Sequence, residues 1–425
     1  MPELFDSYLA QVDEQIRWPR VRPALRRELM GHLEEQRDAC LADGMDEPSA
    51  ELEAVRQMGD PVLIGQQLDA VHRPRPQYAS LLLAAILAIC GALIRIHIGG
   101  ASPARSIAAA ALGFLLLLGA YFSDYRRLVR YGGWLYLATV VLGYTALNWW
   151  FWIFQSGRPF QYVSLFFPLA GTLAACALRG KRWGFWLAGL AYGLLLWLSY
   201  QMTYALAMLL VILCGAMTML AAIRQNWWPV RKKPAAALVI TVSAAALAVL
   251  TWARWDTLLF ALGLDTQYYY PFTFSDTVVR QVLELAPNWG SADLPLGLTQ
   301  SFEYLNFTSD ASDYLLTLLI SQLGRIPFLL LCGAFVLLLI LLCVRCLRQL
   351  RGSGGMLAAV VFLTLAAQFV SSVLFNCGIR LFVAYFPFVM GNLNTVIDLA
   401  LLGVALSVFR QTACPEDVPQ TPSRA

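Results

Sequence analysis

The stretch "IPFLLLCGAFVLLLILLCVRCLRQLR", residues 326–351, carries no charged side chain until Arg345, then adds Arg348 and Arg351. A helix rises about 1.5 Å per residue, so roughly 20 such residues cross a hydrocarbon layer of about 30 Å. The arginines mark the end of the run that stays on the cytoplasmic side. The rest of the chain has the same character. Of its 425 residues, 59% are hydrophobic and 14% are charged, and the mean hydropathy is +0.60. Soluble domains rarely have this composition. The expected fold is all-α: a polytopic membrane protein with about ten transmembrane helices and a small N-terminal cytosolic helical domain.

Ten apolar segments are predicted near 78–98, 104–122, 132–154, 162–178, 184–200, 203–223, 235–253, 326–346, 356–376 and 383–408. The basic loops 124–130, 179–183, 224–234 and 344–351 follow segments two, four, six and eight. That alternation places them in the cytoplasm, together with both chain ends. The first apolar run begins near Tyr78 and is expected to act as an internal anchor. The nine cysteines are scattered, most of them in apolar runs, and suggest no disulfide framework. Cys343 and Cys346 form a lone CxxC with no second pair of ligands nearby. No nucleic-acid partner is expected.

Residues 1–76 differ from the rest, holding 15 of the 27 acids against 9 basic residues. They read as four helices. The first covers about Glu3–Ile16 and the second about Pro23–Ala42. The third enters through Pro48 and stops at Gly59, and the fourth is capped by Asp60 with Pro61 in its first turn. "HRPRP" (72–76) is a stiff linker.

Eight of the remaining 12 acids fall between Trp252 and Tyr314, and the alternation of the basic loops puts the loop 254–312 outside. Its aromatics suit an interfacial belt or a substrate-handling lid equally. At its end, "SDASDYLLTLLISQLGRIP" (309–327) sets Asp310 and Asp313 before an apolar run. Four residues there are good helix caps, and a carboxylate gains from the helix dipole. A cap and a catalytic carboxylate are compatible roles. Asp398 is the single acid that reads as mid-membrane, with Asn392 and Asn394 on related faces. An inter-helix hydrogen bond or an arginine partner is the plainer reading, and Gln368 and Asn376 are candidates to close the cluster.

"SDYLLTLLISQLG" (312–324) resembles the SEDS family (shape, elongation, division and sporulation; FtsW/RodA/SpoVE-type), whose motif is Thr-Asp-Phe, an apolar turn, then Glu-Glu-Leu-Gly. Ser312, Asp313 and Tyr314 match the first element, and Leu323 and Gly324 match the end. "NWGSADLPLG" (288–297) resembles the family's glycine-rich loop, and "FEYL" (302–305) the stretch before its aspartate. Gln368, "PF" (387–388), Gly391, Gly403 and Arg410 fall near markers of its last two helices. The resemblance covers about 78–410. Ser321 and Gln322 stand where the family has two glutamates. Residues 1–76 resemble the permease prefix domain, a docking or regulatory module.

The resemblance implies a peptidoglycan glycosyltransferase that polymerises lipid II at the outer face of the bacterial cytoplasmic membrane. Such chemistry needs a base for the acceptor hydroxyl and positive charge for the diphosphate leaving group. Asp313 is the implied base and Asp310 its alternate. Trp289, Arg280, Arg325, Arg380, Gln368 and Asp398 are the candidate substrate contacts. For the three arginines, interfacial snorkelling is the plainer role. A divalent cation, Mg or Mn, is an expected cofactor. A transpeptidase and cell-division or elongation proteins are expected partners. The altered glutamate pair keeps a second reading open: a non-catalytic lipid-carrier transporter or flippase, or a regulatory scaffold.

Overall fold

The protein is described here from a computed structural model, which covers residues 3–411 apart from 20, 73–75, 151–157, 202–204, 256–258, 260–269, 309–313, 349–351, 380–381 and 383–384. It is an all-α polytopic membrane protein, and no strand occurs among the described residues. The chain divides into two compact units, with Gln77–Val408 forming the membrane unit.

In the N-terminal unit, α1 (Glu3–Gln15), α2 (Arg22–Ala42), α3 (Glu47–Met58) and α4 (Pro61–His72) are amphipathic. Their apolar stripes close on Leu9, Val12, Ile16, Leu25, Leu33 and Ala54. The Asp60 carboxylate accepts a hydrogen bond from the Val62 N–H at 2.9 Å and so caps α4. Asp69 accepts one from the Arg17 N–H at 2.9 Å, tying α4 to the α1–α2 loop. Burial, aided by the charge of Asp60, raises the pKa of the Tyr8 hydroxyl.

Among the described residues of the membrane unit, seven helices are long and apolar enough to span a bilayer. They are α5 (Tyr78–His97), α6 (Pro103–Phe122), α12 (Ala205–Arg224), α13 (Lys232–Ala253), α17 (Arg325–Arg348), α18 (Gly352–Asn376) and α19 (Asn392–Gln411). The other three predicted segments are helical too where described, and the fourth is broken. After α7 (Tyr125–Arg130), α8 (Gly132–Thr145) runs on into a π-helical turn, Ala146–Trp150. The fourth segment is split into α9 (Arg158–Ser164) and α10 (Phe167–Ala177), and the fifth is α11 (Gly184–Gln201). Helix α10 is almost wholly buried, packed on α8, α11, α12 and α18. Helices α6 and α13 leave apolar side chains such as Leu115, Ile240 and Val242 exposed, as a lipid-facing surface requires.

The eighth span begins where the apolar run predicts, next to residue 326, and "YLLTLLISQLG" before it forms a separate helix, α16 (Leu315–Leu323), which ends at Gly324. Gly324 has φ +93°, and a Cβ there would lie 2.6 Å from the Asn288 carbonyl oxygen, so the joint accepts only glycine without strain. The tenth span begins at Asn392 rather than near 383, because residues 385–391 make a turn. Pro387 cannot donate to a helical ladder, and Phe388 sits at φ +66°.

Candidate functional site

Two clusters bring together residues far apart in sequence. The first surrounds the α16–α17 joint. The loop 287–292 lies over it like a short clasp. The Gly290 N–H donates to Leu323 O at 3.1 Å, and the Ala292 N–H to Ser321 O at 2.7 Å. In return, the Arg325 N–H donates to Pro287 O at 3.0 Å, and the Ile326 N–H to Asn288 O at 3.1 Å. The glycine-rich loop and the Leu-Gly pair, separated by some thirty residues, are thus one hydrogen-bonded unit. Helix α14 (Tyr270–Leu285) precedes this loop, and α15 (Leu296–Thr308) follows it. The Arg325 guanidinium donates to Leu283 O at 2.8 Å and Glu284 O at 3.1 Å, capping the end of α14.

Helix α16 is anchored on its other side by α18. The Thr317 N–H donates to Asn376 Oδ1 at 3.1 Å, and the Thr317 hydroxyl to Asn376 O at 3.2 Å. Tyr314 is buried, its ring 5.4 Å from that of Phe375. Asp310 and Asp313 lie outside the described residues, as does Arg380. What the structure describes is the residue after Asp313, held fast against Phe375. Arg280 reaches Gly378 O with one Nη at 3.5 Å, a long contact. Trp289, on the clasp, is 63% exposed.

The second cluster lies where α18 ends and α19 begins. Asp398 is fully buried. Its Oδ1 accepts from Gln368 Nε2 at 3.0 Å, and its Oδ2 from Asn394 Nδ2 at 2.6 Å and from the Phe388 N–H at 3.4 Å. Gln368 and Asp398, both read from sequence, therefore meet directly. Asn376 does not join them, because it is engaged by Thr317. Arg95 on α5 was not singled out in the sequence. It is 4% exposed, and one Nη donates to Phe388 O at 3.2 Å, Val389 O at 2.7 Å and Thr395 Oγ1 at 3.0 Å. The signal was present as a lone arginine inside an apolar run, "GALIRIHIGG" (91–100). Gly91, one turn earlier on the same helix, brings α5 against this turn: a Cβ there would lie 2.3 Å from Phe388 O.

Beside the turn, the Tyr385 ring stacks on Tyr162 of α9 with centroids 5.8 Å apart, and its hydroxyl donates to Gln161 Oε1 at 3.5 Å. An apolar groove of about 440 Å³ lies between α11, α12 and α13, lined in part by Trp186, Gly193, Ile212, Gly215 and Val242. Among the described residues, no three His, Cys, Asp or Glu side chains are grouped to hold a metal ion. Asp310 and Asp313, the acids nearest the proposed chemistry, lie outside that set.

No family model and no curated protein matches the chain. Solved structures do. A chain of a peptidoglycan synthase complex, studied for its coordination of polymerization and crosslinking, is similar with a TM-score of 0.57 and 18% identity. The match covers 79% of this chain and 97% of that one. The rod shape determining protein RodA of Thermus thermophilus is similar with a TM-score of 0.51 and 16% identity, over 79% of this chain and 96% of RodA. The chain therefore has a SEDS-type fold of the RodA kind.

Proposed function

We propose that this protein is a divergent SEDS-type glycosyltransferase that polymerises lipid II at the outer face of the bacterial cytoplasmic membrane. The observation that carries this reading is the fold likeness along 97% of a peptidoglycan synthase chain. The clasped α16 supports it, because the helix is fixed immediately after the acid that the motif supplies.

In this reading Asp313 takes the proton of the acceptor hydroxyl as its oxygen attacks the anomeric carbon of the growing chain. The bond from that carbon to the diphosphate breaks, and the diphosphate leaves with the electron pair. Tyr314 and Thr317, held by Phe375 and Asn376, limit where the carboxylate can move. Arg280 and Arg380 are the cations we assign to the diphosphate. Arg325, already bonded to two carbonyls of α14, acts mainly as a brace. The exposed Trp289 is assigned to the sugar or lipid. Both chain ends are cytoplasmic, and the N-terminal unit docks a regulator. The partner is a transpeptidase, as suits a neighbour that belongs to a synthase complex.

A second reading has its own observation. Ser321 stands in the place of a family glutamate, and its hydroxyl is turned back onto Leu318 O at 2.8 Å. A non-catalytic member would bind lipid II, as a carrier or scaffold, without joining it. The test is polymerisation of lipid II by the detergent-purified protein, with and without Mg or Mn, alongside Asp313→Ala. Glycan chains from the wild type, reduced about 100-fold or more in Asp313→Ala at unchanged thermal stability, are expected. Equal product from both proteins removes Asp313 from the site. Lipid II binding without product from either protein, beside an active polymerase control, selects the second reading.

A further inference from the structure

The backbone of Phe388 is held on both sides of its Cα by opposite charges. Its N–H points at Asp398 Oδ2, and its C=O accepts from Arg95 and from the Thr395 hydroxyl at 3.1 Å. Phe388 is also one of two non-glycine residues at positive φ among the described residues. That conformation is unfavourable for a residue with a Cβ and persists only where the surroundings impose it. The surroundings here are a buried guanidinium on α5 and a buried carboxylate on α19, each costly alone in an apolar interior.

We propose that Arg95 is a positioning residue which, with Asp398, forms an ion pair bridged by the backbone N–H and C=O of Phe388 and so sets the turn Tyr385–Gly391 against α9. Three features carry this. The two charges act on the adjoining peptide units either side of the Phe388 Cα, one at its N–H and one at its C=O, so each lowers the cost of burying the other. Gly91 lets α5 approach closely enough for Arg95 to reach two successive carbonyls. The turn so fixed carries Tyr385 to Tyr162 and Gln161, and its Met390 sulfur accepts from the Phe386 N–H at 3.2 Å and the Ser372 hydroxyl at 3.4 Å. A shift at Phe388 therefore moves an aromatic pair and a contact to α18 together.

The physical claim about the pair stands without the glycosyltransferase reading. Only its consequence for turnover rests on that reading. The experiment compares full-length wild type with Arg95→Lys, Arg95→Met, Asp398→Asn and the double variant Arg95→Met/Asp398→Asn, all in the same detergent. Thermal unfolding reads the pairing. Each of the Arg95→Met and Asp398→Asn variants should lower Tm. The double variant should fall by less than the sum of the two losses, because no buried charge is left uncompensated. Hydrogen exchange, followed by mass spectrometry on peptides covering 385–391, reads the turn. Exchange should quicken in Arg95→Met and in the double variant, while Arg95→Lys stays near wild type. Strictly additive Tm losses overturn the pair. Unchanged exchange at 385–391 in Arg95→Met overturns the positioning role, as does equal exchange in Arg95→Lys and Arg95→Met. Lipid II polymerisation by the same samples is a separate arm. If the wild type makes no glycan, the proposed activity fails while the Tm and exchange results still decide the pair. If it does, the double variant should regain stability but not turnover.

Discussion

Two of the buried polar clusters in the membrane unit are built on different terms. One joins α10, α11 and α12. The Thr172 hydroxyl donates to Pro168 O at 2.9 Å and lies 3.0 Å from the Tyr192 hydroxyl and 3.2 Å from that of Thr218. It is neutral, and each of its three hydroxyls has a protein partner. The other joins α5, α18, α19 and the Phe388 turn, and contains Arg95 and Asp398. Several of its buried atoms have no protein partner: Arg95 Nε and the second Nη, Gln368 Oε1 and Asn394 Oδ1. The neutral cluster is what helix association alone asks for, since small hydroxyls satisfy one another across close backbones. The charged cluster exceeds that need. It costs more to bury and holds a strained turn, and such sites are kept where geometry matters.

The largest expected effect tests that cost. Asp398→Ala removes the acceptor of three donors and leaves Arg95 as an uncompensated buried charge. A loss of about 3–5 kcal/mol is expected, read as a large fall in Tm or in folded yield. If the variant unfolds at the wild-type temperature, Arg95 is balanced by something other than Asp398, and the contrast between the clusters loses its basis. The next effect comes from backbone rather than charge. Gly324→Ala needs a left-handed alanine whose Cβ meets Asn288, and Gly91→Ala drives a methyl into Phe388 O. Each should cost about 1–3 kcal/mol. The two should differ in hydrogen exchange: Gly324→Ala should loosen the clasp 287–292, and Gly91→Ala the turn 385–391. Loss of protection at both sites in either variant would join the clusters into one mechanical unit.

Much of this was legible in the sequence. The apolar runs gave the spans because hydrocarbon length and helical rise leave little choice. Asp60, Pro61 and Gly59 marked helix ends because capping and φ preferences act locally. Gln368 and Asp398 stood out because polar groups inside a membrane seek one another. The start of the eighth span could be read from the apolar run, but the loop 287–292 lying across Gly324 could not, because that contact is non-local. Arg95 was overlooked for a related reason: its partners, Phe388, Val389 and Thr395, lie some three hundred residues away. The Phe388 turn carries no local signal for positive φ, because tertiary bonds impose it rather than the residue itself.

The smallest expected effect sharpens the contrast most. Thr172→Val keeps the shape of the side chain and removes the central hydroxyl of the neutral cluster. Interhelical hydrogen bonds in membrane proteins average about 0.6 kcal/mol and reach about 1.7 kcal/mol, so a shift of that order is expected. Tyr192 and Thr218 lose a neighbour, but neither is left charged. If Thr172→Val instead costs as much as Asp398→Ala, charge is not what separates the two clusters. The α10–α12 core would then be the more demanding site, despite having every hydroxyl matched. If the cost is as small as expected, the neutral cluster works as ordinary glue between helices. The several kcal/mol expected at Asp398 would then measure what the protein commits to holding the backbone of one residue in place.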